Sequence, residues 1–295
     1  GHHIMSERVG IILAGGSGSR LRPITNFTTK QFLPIYDKPL IFYSISTLIN
    51  AGISEILIIL NDQDLNKCSE ALGDGEDWGV KFHYAVQKEP KGIAEAFLIG
   101  ETFINNRSSC LILGDNIFHG SNVETKLSVA SKNEIGAGIF VTKVRNPERF
   151  GILNYYKNGK PKSIVEKPKN PKSSSAVTGL YFYDKDVVEI AKKLKPSPRG
   201  ELEITDINRR YLSENKLNIY NLSSSDLWLD AGTFDSLAEA TDIVKTYKNK
   251  NNAAIGSPEL AALKSGFIST TKYKKLIKAY GNVPYANWLE EKLDD

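Results

Sequence analysis

Apolar and polar positions follow two rhythms along this chain. Val9–Ala14 (VGIILA) is an unbroken apolar run of buried-strand length. Pro39–Ala51 places Ile41, Ile45, Leu48 and Ile49 at helical spacing, and Gly52 stands where such a helix stops. The alternation continues with a strand over Ile53–Leu60, a helix over Asp62–Leu72 and a strand over Val80–Gln87. A helix over Ile93–Ile104 follows, behind Gly92, and then a strand over Ser109–Leu113 that ends at Gly114-Asp115. Strands alternating with helices of this length predict βαβ units and a largely parallel sheet. The second half is richer in strands: Ala137–Val144, Ile152–Tyr156, Ser163–Glu166 and Ala176–Tyr183. Helical patterns follow over Asp186–Leu194, Glu203–Glu214 and Phe234–Lys248. From Asn249 the chain is first Lys/Asn-rich and then reads as short helices. Lys167–Ser175 (KPKNPKSSS) is the most loop-like stretch and is too short to divide domains. The expected fold is α/β: a Rossmann-like mixed, mainly parallel sheet flanked by helices, with a helical C-terminal tail. Residues 1–8 read as a tag remnant and lead, 9–248 as a single domain, and 249–295 as a helical extension.

The chemistry concentrates at the end of the first strand. Gly15, Gly16 and Gly18 are followed by Ser19, Arg20, Pro23, Lys30, Gln31 and Leu33-Pro34. Glycines at a strand end let backbone approach a bulky anion, and successive N–H groups can cradle phosphate. Arg and Lys supply the charge that a polyphosphate requires. A P-loop would need Gly, four residues and Gly-Lys-Ser/Thr, which is not present. A dinucleotide fingerprint starting at Gly16 would need glycine where Leu21 stands. An ordinary βα turn explains the glycines alone, but the full string with its cations is more specific. A nucleoside triphosphate is the leading ligand.

Asp115 follows CLILG, at the strand end where open α/β sheets bind ligands. A carboxylate there suits Mg²⁺, which takes one or two carboxylates plus substrate phosphates. Asp230, between LWL and AGT, has a similar setting. Read alone, Asp115 is more readily a helix cap or turn residue than a metal ligand, and Asp230 could simply cap the helix starting near Phe234. Nothing in the residues alone brings the two together.

Over about residues 8 to 290 the chain resembles the glucose-1-phosphate thymidylyltransferases of the sugar nucleotidyltransferase family. The resemblance is carried by GGSGSRLRPIT and KQFLPIYDKPLIFY, then VQKEPKGIAEAF, LILGDNIFHG, NPERFGI and IVEKP. AVTGLYFYD, LKPSPRGELEITDIN and LWLDAGTFDSL complete the family order. It implies the nucleotide-diphospho-sugar transferase fold, with a nucleotide half about 9–135 and a sugar-binding half about 136–248. It implies Mg²⁺-dependent thymidylyl transfer from dTTP to glucose 1-phosphate, giving dTDP-glucose and pyrophosphate, at the start of dTDP-rhamnose or related deoxysugar synthesis. Asp115 and Asp230 fall on the metal positions. Arg20 and Lys30 would hold the triphosphate and departing pyrophosphate, Lys167 the sugar phosphate, and Arg199 would face the phosphates. Leu13, Gly15, Gly16, Gly18, Ser19 and Gln31 would surround the nucleotide, with Gln87 and Gly92 at the base. Gly151, Glu166, Val177 and Tyr181 would surround the sugar, and Trp228 would stack there or fill the core. A homotetramer and feedback inhibition by dTDP-rhamnose are further implications.

The chain departs from the family pattern at four of these blocks. Ser19 replaces Thr, Phe150 replaces Tyr, Ala231 replaces Thr, and Lys91 stands where an acidic residue is usual. Two rival readings are a nucleotidyltransferase using UTP or another sugar 1-phosphate, and a non-catalytic regulatory homologue. Loss of Arg20, Lys30, Asp115 or Asp230 would favour the second, and all four are present.

Composition narrows the setting. The 295 residues suffice for one large α/β domain or two small ones. A hydrophobic content of 41% and a charged content of 24% are those of a soluble globular protein. A net charge of +4 is too mild to argue for nucleic-acid or membrane binding. No apolar run approaches the ~20 residues of a membrane span. No signal peptide pattern is visible, and GHHIM reads as a tag remnant. Cys68 and Cys110 are the only cysteines, which suits a reducing cytoplasm rather than a disulfide scaffold.

Overall fold

The computed structural model describes residues 7–253 and 255–294, so residues 1–6 of the expected tag remnant lie outside the described residues. Strands Lys81–Val86, Glu55–Leu60, Val9–Ala14 and Ser109–Leu113 lie side by side in that order and pair in parallel. Successive side chains point to opposite faces. Ile12, Ile56 and Ile58 enter one core, and Ile11, Leu57 and Ile59 enter the other. Burial on both faces is why these strands read as continuous apolar runs. Helices Leu40–Asn50 and Ser121–Lys132 cover the first face. Helices Glu95–Ile99, Val187–Lys192 and Ile204–Ser213 cover the second.

The pairing direction changes at Ser175–Tyr183. This strand runs antiparallel to Ser109–Leu113 on one side and to Ala137–Lys143 on the other. Through Ala176 it also meets Gly151–Tyr155, which pairs antiparallel with the edge strand Pro161–Glu166. Leu217–Asn221 joins Ala137–Lys143 in parallel. One nine-stranded mixed sheet thus runs through both halves, flanked by helices as the pattern predicts.

Asn116–His119, Ser121–Lys132, Leu217–Asn221 and Leu227–Asp230 are among the elements with no counterpart in the predicted set. Two of them are four-residue strands that pair only with each other, with Asp230 opposite Asn116. Such short strands carry too few alternations to register as a pattern. Phe234–Asn251 opens with a reciprocal capping box between Thr233 and Ser236. Helices Pro258–Lys264, Thr270–Tyr280 and Pro284–Glu291 form the tail. Tyr273, Trp288 and Leu289 share a core with Ile45 and Leu48, so the tail packs into the body. Among the described residues no helix is long and apolar enough to cross a membrane.

Candidate active site

The carboxyl ends of the four parallel strands meet at one cleft, and each delivers polar groups to it. The glycine loop follows Val9–Ala14, Asn61 follows Glu55–Leu60, Gln87 follows Lys81–Val86, and Asp115 comes just after Ser109–Leu113. Two adjoining cavities of about 280 and 460 Å³ lie there. Gly15, Gly16, Lys30, Gln87 and Asp115 line both. Leu13, Gln31, Gly92 and Arg199 are also at the first, and Gly18, Ser19 and Arg20 at the second. Asn61 Nδ2 donates to Gly16 O at 2.9 Å, and Thr25 Oγ1 to Gly18 O at 2.7 Å, which ties the loop down.

Two buried glutamines face this loop. A Cβ on Gly15 would stand 2.4 Å from Gln87 Oε1, so only glycine leaves room for that amide. Gln87 Nε2 donates to Glu95 Oε1 at 3.0 Å, fixing its plane. Gln31 is held through its backbone N–H on Thr29 Oγ1 at 3.2 Å. Its Oε1 is buried with no partner among the described residues. An orphaned acceptor beside a cleft is a place for a ligand's donor.

The small two-stranded sheet brings the aspartates together. Asp230 pairs opposite Asn116, and Ala231 N donates to Asp115 O at 2.9 Å. Asp230 Oδ1 and Asp115 Oδ2 lie 3.3 and 3.6 Å from the point where a Cβ on Gly232 would sit. Asp230 stays accessible, yet partial loss of water and then the Asp115 charge raise its carboxyl above the ordinary range. Lys30 opposes that rise, and its Nζ lies 3.1 Å from Asp115 Oδ2. The cap reading fails for both, since Thr233 caps the helix at Phe234 and no helix starts at Asp115. The turn reading holds for Asp115, which sits in a turn between two strands. Among the described residues no group of three or more His, Cys, Asp or Glu is arranged to hold a metal. A platform of two carboxylates fits Mg²⁺, which fills its remaining positions with phosphates and water.

The expected sugar residues form a second group on the antiparallel side. Glu166 lies opposite Gly151 and accepts from Thr205 Oγ1 at 2.7 Å. Tyr181 is buried and stacks on Tyr183 at 6.2 Å. Burial, then the charges of Glu166 and Asp115, push its hydroxyl pKa well up. Val177 borders an irregularity in the same strand. Trp228 and Asp230 line a wider cleft of about 1090 Å³, and Trp228 meets Phe150 edge-on at 5.4 Å. Lys167 is exposed and has φ 45°, a left-handed backbone that lysine rarely adopts and that is concentrated at functional sites. Arg199 bonds Glu203 at 2.7 and 2.9 Å and lies 3.0 Å from Glu201. Gly151, Glu166, Lys167, Val177 and Tyr181 do not line the two glycine-loop cavities.

Asn61, Glu95, Asn116 and Glu203 were not singled out from the sequence. Asn61 stands just past a strand end, a position that already favours ligand sites, and Asn116 opens the short strand that follows Asp115. Glu95 and Glu203 gain their roles only through pairing with Gln87 and Arg199.

A glycine loop with two cations, beside paired carboxylates at the end of a parallel sheet, can hold a polyphosphate with a divalent cation. Residues 9–246 match the nucleotidyl transferase family. The chain belongs to the nucleotidyl transferase family. It is similar to the glucose-1-phosphate thymidylyltransferase of Neisseria meningitidis serogroup A / serotype 4A, at 49% identity over 95% of this chain and 97% of the relative. The enzyme of that name from Mycolicibacterium smegmatis is 47% identical over 97% and 99%. A Bacillus anthracis structure, assigned as a glucose-1-phosphate thymidylyltransferase in complex with a sucrose, is 43% identical. It superposes with a TM-score of 0.74, covering 80% of this chain and 94% of its own. A UDP-glucose pyrophosphorylase complexed with UDP-glucose is 26% identical, with a TM-score of 0.69 over 83% and 99%. This nucleotidyltransferase is therefore an enzyme, and the glycine-loop cleft is its candidate active site.

Proposed function

We propose that this nucleotidyltransferase moves a thymidylyl group from dTTP to glucose 1-phosphate, giving dTDP-glucose and pyrophosphate. The observation that carries the reading is the meeting of the glycine loop, Lys30 and Asp115 at one strand-end cleft, with the Asp230 carboxylate beside that of Asp115. Relatives sharing nearly the whole chain carry the name of that activity.

Two anions must be brought together, so fixed cations do most of the work. Arg20 and Lys30 hold the triphosphate and then the departing pyrophosphate. Lys167 holds the sugar phosphate, and Arg199 faces the phosphates. Gln87, Gly92 and the free Gln31 oxygen face the base. Gly151, Glu166, Val177, Tyr181 and Trp228 face the sugar. An oxygen of the sugar phosphate attacks the α-phosphorus in line. One P–O bond forms as the α–β bridging bond breaks, and pyrophosphate leaves with the electron pair. No covalent enzyme nucleophile is needed. Mg²⁺, held by Asp115 and Asp230, would supply charge neutralisation at the phosphates.

The likeness to a UDP-glucose pyrophosphorylase favours UTP as the second reading, since dTTP and UTP differ only by a methyl and a 2′-hydroxyl. The setting that goes with the main reading is a cytoplasmic homotetramer that feeds dTDP-rhamnose or related deoxysugar synthesis and is inhibited by dTDP-rhamnose. The test is product identification by mass with dTTP or UTP against glucose or galactose 1-phosphate. The dTTP–glucose pair is expected to turn over fastest, and saturating dTDP-rhamnose to slow it. Faster turnover of another pair would overturn the substrate assignment, and an unaffected rate would remove the inhibitor.

A further inference from the structure

Asn116 sits between the two carboxylates and the sugar side, buried to 5% exposure. Its Nδ2 donates to Asp115 Oδ1 at 3.0 Å. Its Oδ1 accepts from Trp228 Nε1 at 2.8 Å and from Gly179 N at 3.1 Å. The two donors come from different elements. Trp228 lies on the strand that ends in Asp230, and Gly179 lies in the irregular part of Ser175–Tyr183. The fit is close: a Cβ on Gly179 would stand 2.6 Å from Asn116 Oδ1.

The Asp115 oxygens are thereby assigned different tasks. Oδ1 is bonded by Asn116, while Oδ2 lies beside Lys30 and on the side of Asp230 Oδ1. A carboxylate torsion is broad when nothing holds it, so an unheld Asp115 would not keep its carboxylate plane turned to place one oxygen on the Asp230 side. We propose that Asn116 is a positioning residue that locks the Asp115 carboxylate with Oδ2 toward Asp230 and ties that orientation to Trp228. The inference rests on Asp115 and Asp230 being the metal-binding pair. Outer partners that orient ligating carboxylates change metal affinity by about 10- to 100-fold when removed. A residue that merely joins strands would change stability and leave metal-dependent binding alone.

The test is calorimetric titration of dTTP into the full chain without sugar phosphate, once with Mn²⁺ and once with EDTA. The wild type is expected to bind dTTP more tightly with Mn²⁺. Equal wild-type affinities would overturn the metal reading, and the proposal with it. Asn116→Ala is expected to keep the EDTA affinity and to lose about tenfold or more of the Mn²⁺-dependent gain. A wild-type gain left intact in Asn116→Ala would overturn the proposal alone. Should that variant fail to fold, Trp228→Phe removes one of the two bonds to Oδ1 while keeping an aromatic ring. It is expected to reduce the gain by about two- to tenfold, and an unchanged gain there also overturns the proposal.

Discussion

Gly15 and Gln87 divide one small volume between them at the glycine-loop cleft. With 2.4 Å between the Gln87 oxygen and a Cβ at position 15, Gly15→Ala must displace the buried amide and break its bond to Glu95. An overpacking cost of about 1–3 kcal/mol, borne by the binding-competent amide position, corresponds to a nucleotide KM raised by about 5- to 150-fold. Steady-state kinetics should show KM moving more than kcat, and an unchanged KM would remove Gln87 from the nucleotide site. The departures from the family pattern are tolerated for visible reasons. Phe150 packs its ring on Trp228, Ala231 serves Asp115 through its backbone N–H, and exposed Lys91 pairs with Glu89 at 3.6 Å. The glycines, Arg20 and Lys30 were legible because their chemistry lies within one short string. Asn61 and Asn116 were not, because Asn61 holds Gly16 and Asn116 is held by Gly179 and Trp228, all from distant segments.

The tail docks through buried charge as well as through apolar packing. Glu259 is fully buried and accepts from Tyr280 Oη at 2.6 Å. Lys38, nearly as buried, pairs with Asp37 at 2.5 Å and lies over the rings of Tyr43 and Tyr285 at 5.3 and 5.6 Å. Burial raises the Glu259 carboxyl, against the bond from Tyr280 and the Lys38 charge, and burial lowers the Lys38 ammonium. A carboxyl whose folded pKa lies above its unfolded value takes up a proton on folding between the two. Stability therefore falls as pH rises through that window. Glu259→Gln keeps an acceptor for Tyr280 and removes the buried charge. Its thermal midpoint should exceed that of the wild type at neutral pH, with a flatter decline above pH 4.5. A midpoint lowered equally at every pH would show that Lys38 already balances the charge. The long periodic helices and apolar strands were readable in advance. The strands Asn116–His119 and Leu227–Asp230 were not, because a four-residue element is specified by its partner rather than by its own pattern.

For the whole molecule, the apolar pattern announced α/β architecture but not the reversal at Ser175–Tyr183, since burial on both faces says nothing about strand direction. That reversal separates the parallel strands that carry the glycine loop from the antiparallel strands that carry Glu166 and Tyr181. The small sheet then places Asp115 and Asp230 where the two groups adjoin. The family strings named both aspartates, and the fold supplies the reason they meet. The most direct test is pyrophosphate release from dTTP and glucose 1-phosphate with Mg²⁺, comparing wild type with Asp115→Asn. The account predicts pyrophosphate in step with dTDP-glucose from the wild type, and a rate lower by about a hundredfold or more in a variant that stays folded. A folded Asp115→Asn enzyme at full rate, or a wild type that releases no pyrophosphate from this pair, would contradict it.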